Sequence, residues 1–294
     1  MGSIKKIKDM NNLFKNLKHC AAIVSLKRKI WRKYVEFSRL NIPETLLSFR
    51  PNSAGSYNAR ALLTIQAVEQ TFPALSALAI KIGLRESQVE NIDSGVYSAE
   101  ENRAIDDLKN LLDASGSDKA SAHNYHKLYA RILKERDTIE ALLEIGLGTN
   151  NPDVTSNMGE SGRPGASLRS FRDFLPLANI YGADIDKRVL FTEERIKTFF
   201  VDQTDLGSFS NLDRMVPSEF DLIIDDGLHS PHANIITLTY ALRKIKVGGW
   251  FVVEDIALEA LSVWKVVAAI MPQSYEVHIF MATKTLVFAA QRLA

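Results

Sequence analysis

The chain has 294 residues, 46% of them hydrophobic and 24% charged, an ordinary balance for a globular protein and enough length for one large or two modest domains. Its single cysteine, Cys20, excludes an internal disulfide and makes cytoplasmic residence the expectation, and no secretory signal pattern opens the chain. The net charge of +1 conceals an asymmetry: residues 1–40 carry eleven Lys or Arg against Asp9 and Glu36, or +9, which leaves −8 for the remainder.

In that basic segment Ile4, Ile7, Met10, Phe14, Leu17, Ala21, Val24, Trp31 and Tyr34 recur close to helical spacing, which predicts a basic amphipathic helical segment over residues 1–40. Such a helix can lie on an anionic membrane surface, giving a membrane-peripheral protein, or pack on an acidic surface of its own or a neighbouring subunit. No uninterrupted apolar run approaches the roughly 18 residues of a spanning helix. Nucleic-acid binding is not expected, because no reading motif accompanies the charge. Residues 41–114 read as a helical auxiliary domain that covers the substrate side of the carboxyl-terminal domain or mediates a homo-oligomer. Within it, 61–72 and 72–83 read as two helices pivoting near Pro73, and 98–112 as a third, opened by a Ser98 cap and an acidic first turn.

From about residue 115 the pattern becomes strand and helix in alternation. Ala141–Gly148 is an apolar strand around Glu144 that closes on Gly146 and Gly148. A dinucleotide site would want a third glycine three positions on, where Asn151 stands. An acidic residue before such a turn suits S-adenosylmethionine, whose amino acid end is zwitterionic and whose ribose carries no phosphate. A second strand ends at Asp184, placed to accept from both ribose hydroxyls, and a third at Asp202 and Gln203, either of which could meet the adenine amino group. Spacings of roughly 20 to 40 residues between strands fit βα units and a parallel sheet. Two further strands run into acid, Asp221–His229 through Asp225 and Asp226, and Trp250–Asp255 through Glu254 and Asp255. In an open parallel sheet these strand ends border the ligand crevice. The alternative is that they are turn and cap residues. Segments 276–282 and 285–292 read as a terminal hairpin on the antiparallel edge.

Taken together, residues 115–294 resemble class I S-adenosylmethionine-dependent methyltransferases, and among them the metal-dependent sugar O-methyltransferases of macrolide and polysaccharide tailoring. The resemblance rests on Ile224-Asp225-Asp226-Gly-Leu-His229, on Gly248-Gly249-Trp-Phe-Val-Val-Glu254-Asp255, and on the lead-in Ser117-Asp118-Lys119 with Tyr125 and Tyr129. The loop between Thr149 and Ala166 departs from it. The resemblance implies a doubly wound, mostly parallel, seven-stranded Rossmann-like sheet. It also implies a divalent cation, magnesium, on Asp226, Glu254 and Asp255, and His229 as the base that takes a proton from a sugar hydroxyl. His232 is a rival base, disfavoured because Asp-x-x-His keeps His229 beside Asp226. Asp225 is placed on the cofactor side, and Lys119 and Tyr125 either touch cofactor or substrate or are surface residues. His123 and His126 read as solvated and His278 as structural. The acceptor would be a sugar-containing small molecule or glycan. Two other readings remain: a metal-independent small-molecule methyltransferase of the same fold, and a non-catalytic cofactor-binding scaffold.

Overall fold

The computed structural model describes residues 44–52, 57–95 and 97–294, so the amphipathic segment expected over residues 1–40 lies outside the described residues. The chain divides into two compact units, Met1–Thr71 and Phe72–Ala294. The first unit holds, among the described residues, a 3-10 turn at Glu44–Phe49 and the start of helix α1, Tyr57–Lys81. This helix is continuous through Pro73, where two helices were expected. Proline removes one i to i−4 hydrogen bond, and the alanine- and leucine-rich turns on either side favour helix strongly enough to carry the chain past it.

The second unit is a nine-stranded sheet flanked by helices. Its strands are β1 (Val89–Asn91), β2 (Ala141–Ile145), β3 (Asn179–Asp184), β4 (Thr192–Glu193), β5 (Ile196–Phe200), β6 (Phe220–Asp225), β7 (Ile245–Ile256), β8 (Tyr275–Met281) and β9 (Leu286–Arg292), in the spatial order β1-β8-β9-β7-β6-β2-β3-β5-β4. Strands β5, β3, β2, β6 and β7 are parallel neighbours, and β9 runs antiparallel between β7 and β8. These seven are the expected methyltransferase sheet. The other two are edge additions of three and two residues, β1 parallel to β8 and β4 antiparallel to β5, too short to declare themselves by periodicity.

Successive strand residues face opposite sides, and here each side has its own core. Leu142, Leu222, Ile224 and Val252 join one cluster with residues of α2 (Ala99–Ser115), α3 (His126–Ile132) and α4 (Ala166–Phe174). Leu143, Ile145, Ile223, Phe251 and Val253 join the other with residues of α5 (Leu206–Leu212), α6 (Pro231–Ala241) and α7 (Leu261–Ile270). Helix α2 starts with a complete capping box between Ser98 and Glu101 and ends at Gly116 with φ +84°, a left-handed cap that glycine adopts without strain. Its Ile105, Leu108 and Leu112 are buried in the first cluster. Residues 72–114 therefore belong to the same compact unit as the sheet, and the boundary expected near residue 115 does not separate two bodies.

His126, expected in solvent, is only 5% exposed at the start of α3. Burial, with Lys127 and Lys109 nearby, lowers its pKa from 6.5 to about 4. The folded protein resists a proton that the unfolded chain takes up near pH 6.5, so this stabilising contribution is lost as pH falls from 6.5 through 4. His126→Gln, which cannot charge, is expected to show a smaller fall in melting temperature than the unsubstituted protein between pH 7 and pH 4; equal falls by calorimetry would refute the assignment.

Candidate active site

A cavity of about 390 Å³ opens at the carboxyl ends of β2, β3, β5, β6 and β7, the expected place for a ligand in a doubly wound sheet. Gly146, Gly148, Asp184, Asp202, Gln203, Asp226, His229 and Asp255 all line it, as do Ser117–Lys119 and parts of the 156–163 loop. One side is a backbone cradle and the other an acid cluster.

The cradle begins where β2 ends. Gly146 has φ +99° and donates its N–H to the Ala183 carbonyl at 2.8 Å. A Cβ there would overlap the backbone of Asp226, and one at Gly148 (φ +75°) would overlap the Met158 side chain. The missing side chains thus let the β2 and β6 turns close on each other and give a ligand access to backbone. Asp184 accepts the Leu147 and Asp186 amides, each at 2.8 Å, and burial raises its pKa. Asp186, which carries no role in the sequence motifs, is tied by Arg188, Thr149 and Asn151, and the Arg188 bond holds its carboxyl well below the usual range. The Asn151 amide is therefore spent on internal bonds at the position where a dinucleotide turn would have glycine. Asn150 closes the departing loop by donating to the Gly159 and Gly162 carbonyls at 2.7 and 2.8 Å.

At the far end of the cradle the carboxylate of Asp202 accepts, among the described residues, from its neighbour Thr204. Gln203 is more constrained: it donates to Asp225 at 2.6 Å and to Thr237 at 2.9 Å and accepts from the Leu228 amide. Asp225 itself is fully buried and lies behind the cavity wall, where burial raises its pKa. As residue 225 it shares its strand face with Ile223 and points to the α6 side, away from Glu144 and Glu254.

The acid cluster comes from three adjacent strands. Glu144 on β2 and Glu254 on β7 face the α2–α4 side and meet Lys119, whose ammonium is 3.1 Å from Glu144 Oε1, 2.5 Å from Asp226 Oδ2 and in contact with Glu254 Oε2. Ser167 of α4 donates to the other oxygen of Glu144 at 2.6 Å, and Tyr129 of α3 donates to the other oxygen of Glu254. Burial alone would lower the Lys119 pKa, but Asp226, Glu254 and Glu144 outweigh it and hold the ammonium well above its ordinary value. Burial pushes both glutamates up, and Lys119 opposes that shift. Glu144 and Glu254 are thus first of all partners of Lys119, and Tyr125 serves Asp255, donating to its Oδ1 at 2.7 Å.

Adjacent residues of a regular strand point oppositely, so Glu254 and Asp255 could not both join one cluster without a break. β7 supplies it: the pairing Val253↔Phe288 is followed by Ile256↔Leu286, one extra residue on β7, and Asp255 takes φ +52°. This bulge re-aims Asp255. Facing it, His229 sits at φ +54° after the β6 turn, its Nε2 3.9 Å from Asp226 Oδ1. Donor atoms of Asp226, His229 and Asp255 lie within 4.8 Å of one another. Two hard carboxylates at that separation fit a single cation that keeps open positions, with the imidazole beside it. His232 is exposed on α6 and does not line the cavity. His123, expected in solvent, instead faces the acid cluster: its Nδ1 is 3.3 Å from Asp255, and the Asp118 bond raises its pKa.

No protein-family model matches the chain. Over 163 residues, 55% of the chain, it is 29% identical to the 8-demethyl-8-alpha-L-rhamnosyl tetracenomycin-C 2'-O-methyltransferase of Streptomyces olivaceus. Over 139 residues, 46% of the chain, it is 34% identical to the demethylmacrocin O-methyltransferase of Streptomyces fradiae. The matched stretches span 40% and 32% of those two proteins. Among solved structures, the MycE methyltransferase of the mycinamycin pathway, in complex with Mg, SAH and mycinamycin VI, superposes with a TM-score of 0.50 at 23% identity, covering 64% of this chain and 54% of that one. The chain has the class I methyltransferase fold and is a homologue of sugar O-methyltransferases from macrolide and polyketide tailoring pathways.

Proposed function

We propose that this protein transfers a methyl group from S-adenosylmethionine to a sugar hydroxyl of a glycosylated small molecule, with a divalent cation and a histidine base. The observation that carries the reading is the juxtaposition, in one cavity, of the Gly146–Gly148 cradle with the Asp226, His229 and Asp255 cluster. The relatives support the sugar acceptor, since two are O-methyltransferases of rhamnosyl tetracenomycin C derivatives.

In this reading Asp184 accepts from the ribose hydroxyls and Asp202 from the adenine amine, while Gln203, already bonded at both ends, fixes the Leu228 amide and so the β6 turn. Asp226 and Asp255 would hold the cation, and Glu254, bonded to Lys119 and Tyr129, would stand behind them without ligating it. When bound, a magnesium ion would lower the pKa of a sugar hydroxyl and orient a vicinal diol. His229 accepts the proton as the hydroxyl oxygen attacks the methyl carbon; the sulfonium sulfur leaves with the electron pair of its bond to that carbon. Asp226 steadies the imidazolium that results. The rigid turns that present both halves supply the orientation on which such two-substrate transfers depend.

Calorimetry with S-adenosylmethionine, in magnesium and then in EDTA, is the first test: binding in both is expected, and no binding in either removes the methyltransferase reading. With rhamnosylated polyketides as acceptors, turnover is expected only with metal present; EDTA-insensitive turnover would take the metal out of the mechanism. His229→Ala should lower kcat by roughly 10² to 10⁴ with donor affinity unchanged, and an equal loss in His232→Ala would reassign the base. Gly146→Ala should cost about 1–3 kcal/mol of stability from its positive φ and weaken donor binding more than about tenfold; unaltered binding would show that the cradle is elsewhere.

A further inference from the structure

We infer that Lys119 is the resident cation of the acid cluster, closing its inner half to a divalent ion and setting how tightly the outer half binds one. The inference rests on the metal-dependent reading above. The inner half is enclosed: the side chains of Lys119, Glu144 and Glu254 are 3%, 0% and 1% exposed. An ammonium has three donors and no acceptor, and it meets three carboxylates here. Both Glu254 oxygens are hydrogen-bonded, to Lys119 and Tyr129, while Glu144 accepts from Ser167 on one oxygen and is paired by charge alone with Lys119, 3.1 Å away, on the other. These oxygens face Lys119, Tyr129 and Ser167, where magnesium would need positions for the water ligands that it retains.

Asp226 joins the halves. Its Oδ2 faces the Lys119 ammonium at 2.5 Å, and its Oδ1 faces His229 at 3.9 Å, on the side where the Asp226, His229 and Asp255 donors converge. Lys119 therefore acts through Asp226 as a positioning residue. Its placement is secured by the backbone: α2 ends in the left-handed Gly116 cap, and the Lys119 carbonyl accepts the Tyr125 amide at 2.8 Å. A positive charge so close to a divalent ion weakens its binding. Without that charge, buried carboxylates lack compensation, which destabilises the metal-free protein and makes an added cation bind more tightly.

The test is a magnesium titration of the full chain by calorimetry, with melting temperatures with and without magnesium, for the unsubstituted protein, Lys119→Met and Lys119→Arg. Lys119→Met is expected to melt lower without metal, to bind magnesium about tenfold tighter, and to gain more melting temperature from it. Lys119→Arg should restore the original values. A merely structural lysine would lower melting equally with and without metal. Magnesium binding no tighter in Lys119→Met, or an arginine variant that behaves like the methionine one, overturns the inference. Should Lys119→Met not fold, the same comparison between Glu144→Gln and Glu144→Gln/Lys119→Met decides, because one carboxylate has then left with the ammonium. No magnesium binding by any of these proteins also overturns it, and S-adenosylmethionine titration of the same samples then shows separately whether the methyltransferase reading stands.

Discussion

The contact on which the site depends is the ammonium of Lys119 among Glu144, Asp226 and Glu254. It ties the ends of β2, β6 and β7 to the segment that leaves α2, so the open edge of the sheet is fixed where a reaction would need it fixed. Ion pairs this deeply buried seldom add net stability over apolar packing, because the desolvation of each charge is so large. Their value is geometric. The α2–α4 helical layer is registered on the sheet by charge as well as by the packing of Leu108, Leu112 and Phe171.

The other half of the site is held by backbone strain. Among the described residues four non-glycine residues have positive φ, and two of them are His229 and Asp255. Such conformations persist only where the surroundings over-determine them. At Asp255 the β7 bulge and the Tyr125 and Thr285 hydroxyls do so; the turn before His229 is anchored by the Leu228 amide on Gln203, and the end of β6 by the Asp226 amide on the Ile145 carbonyl of β2. The groups assigned to metal and proton are thus set by different means from the lysine-bound acids behind them.

Much of this was legible in the sequence. Apolar strands ending in Asp184, Asp202, Asp225–Asp226 and Glu254–Asp255 pointed to the parallel sheet, and the spacing from Asp226 to His229 placed the histidine beside the carboxylate. What the sequence concealed has physical reasons. Two consecutive acids look equivalent as letters, whereas strand parity sends Glu254 inward to Lys119 and a one-residue bulge turns Asp255 outward. Parity was available in the strand pattern and would have set Asp225 apart from Glu144, since the two fall on opposite faces. The pairing of Lys119 with Glu254 spans 135 residues and no local signal announces it. Strands β1 and β4 are pairing events of three and two residues and leave no period to read, and Pro73 interrupts the helical pattern of α1 although the helix-favouring residues around it carry the chain through.

One of the sheet's two edge strands, β1, comes from the amino-terminal side of the domain, yet it pairs with β8, far along the chain. β1 lies along β8, and Glu90 meets His278 188 residues further on. On a ribosome the β1 segment emerges long before its partner exists, and β8 in turn is paired with β9. This edge of the sheet can be completed only after β8 has been synthesised. This edge of the sheet therefore depends on a long-range pairing, and contacts of such large sequence separation are slow to form.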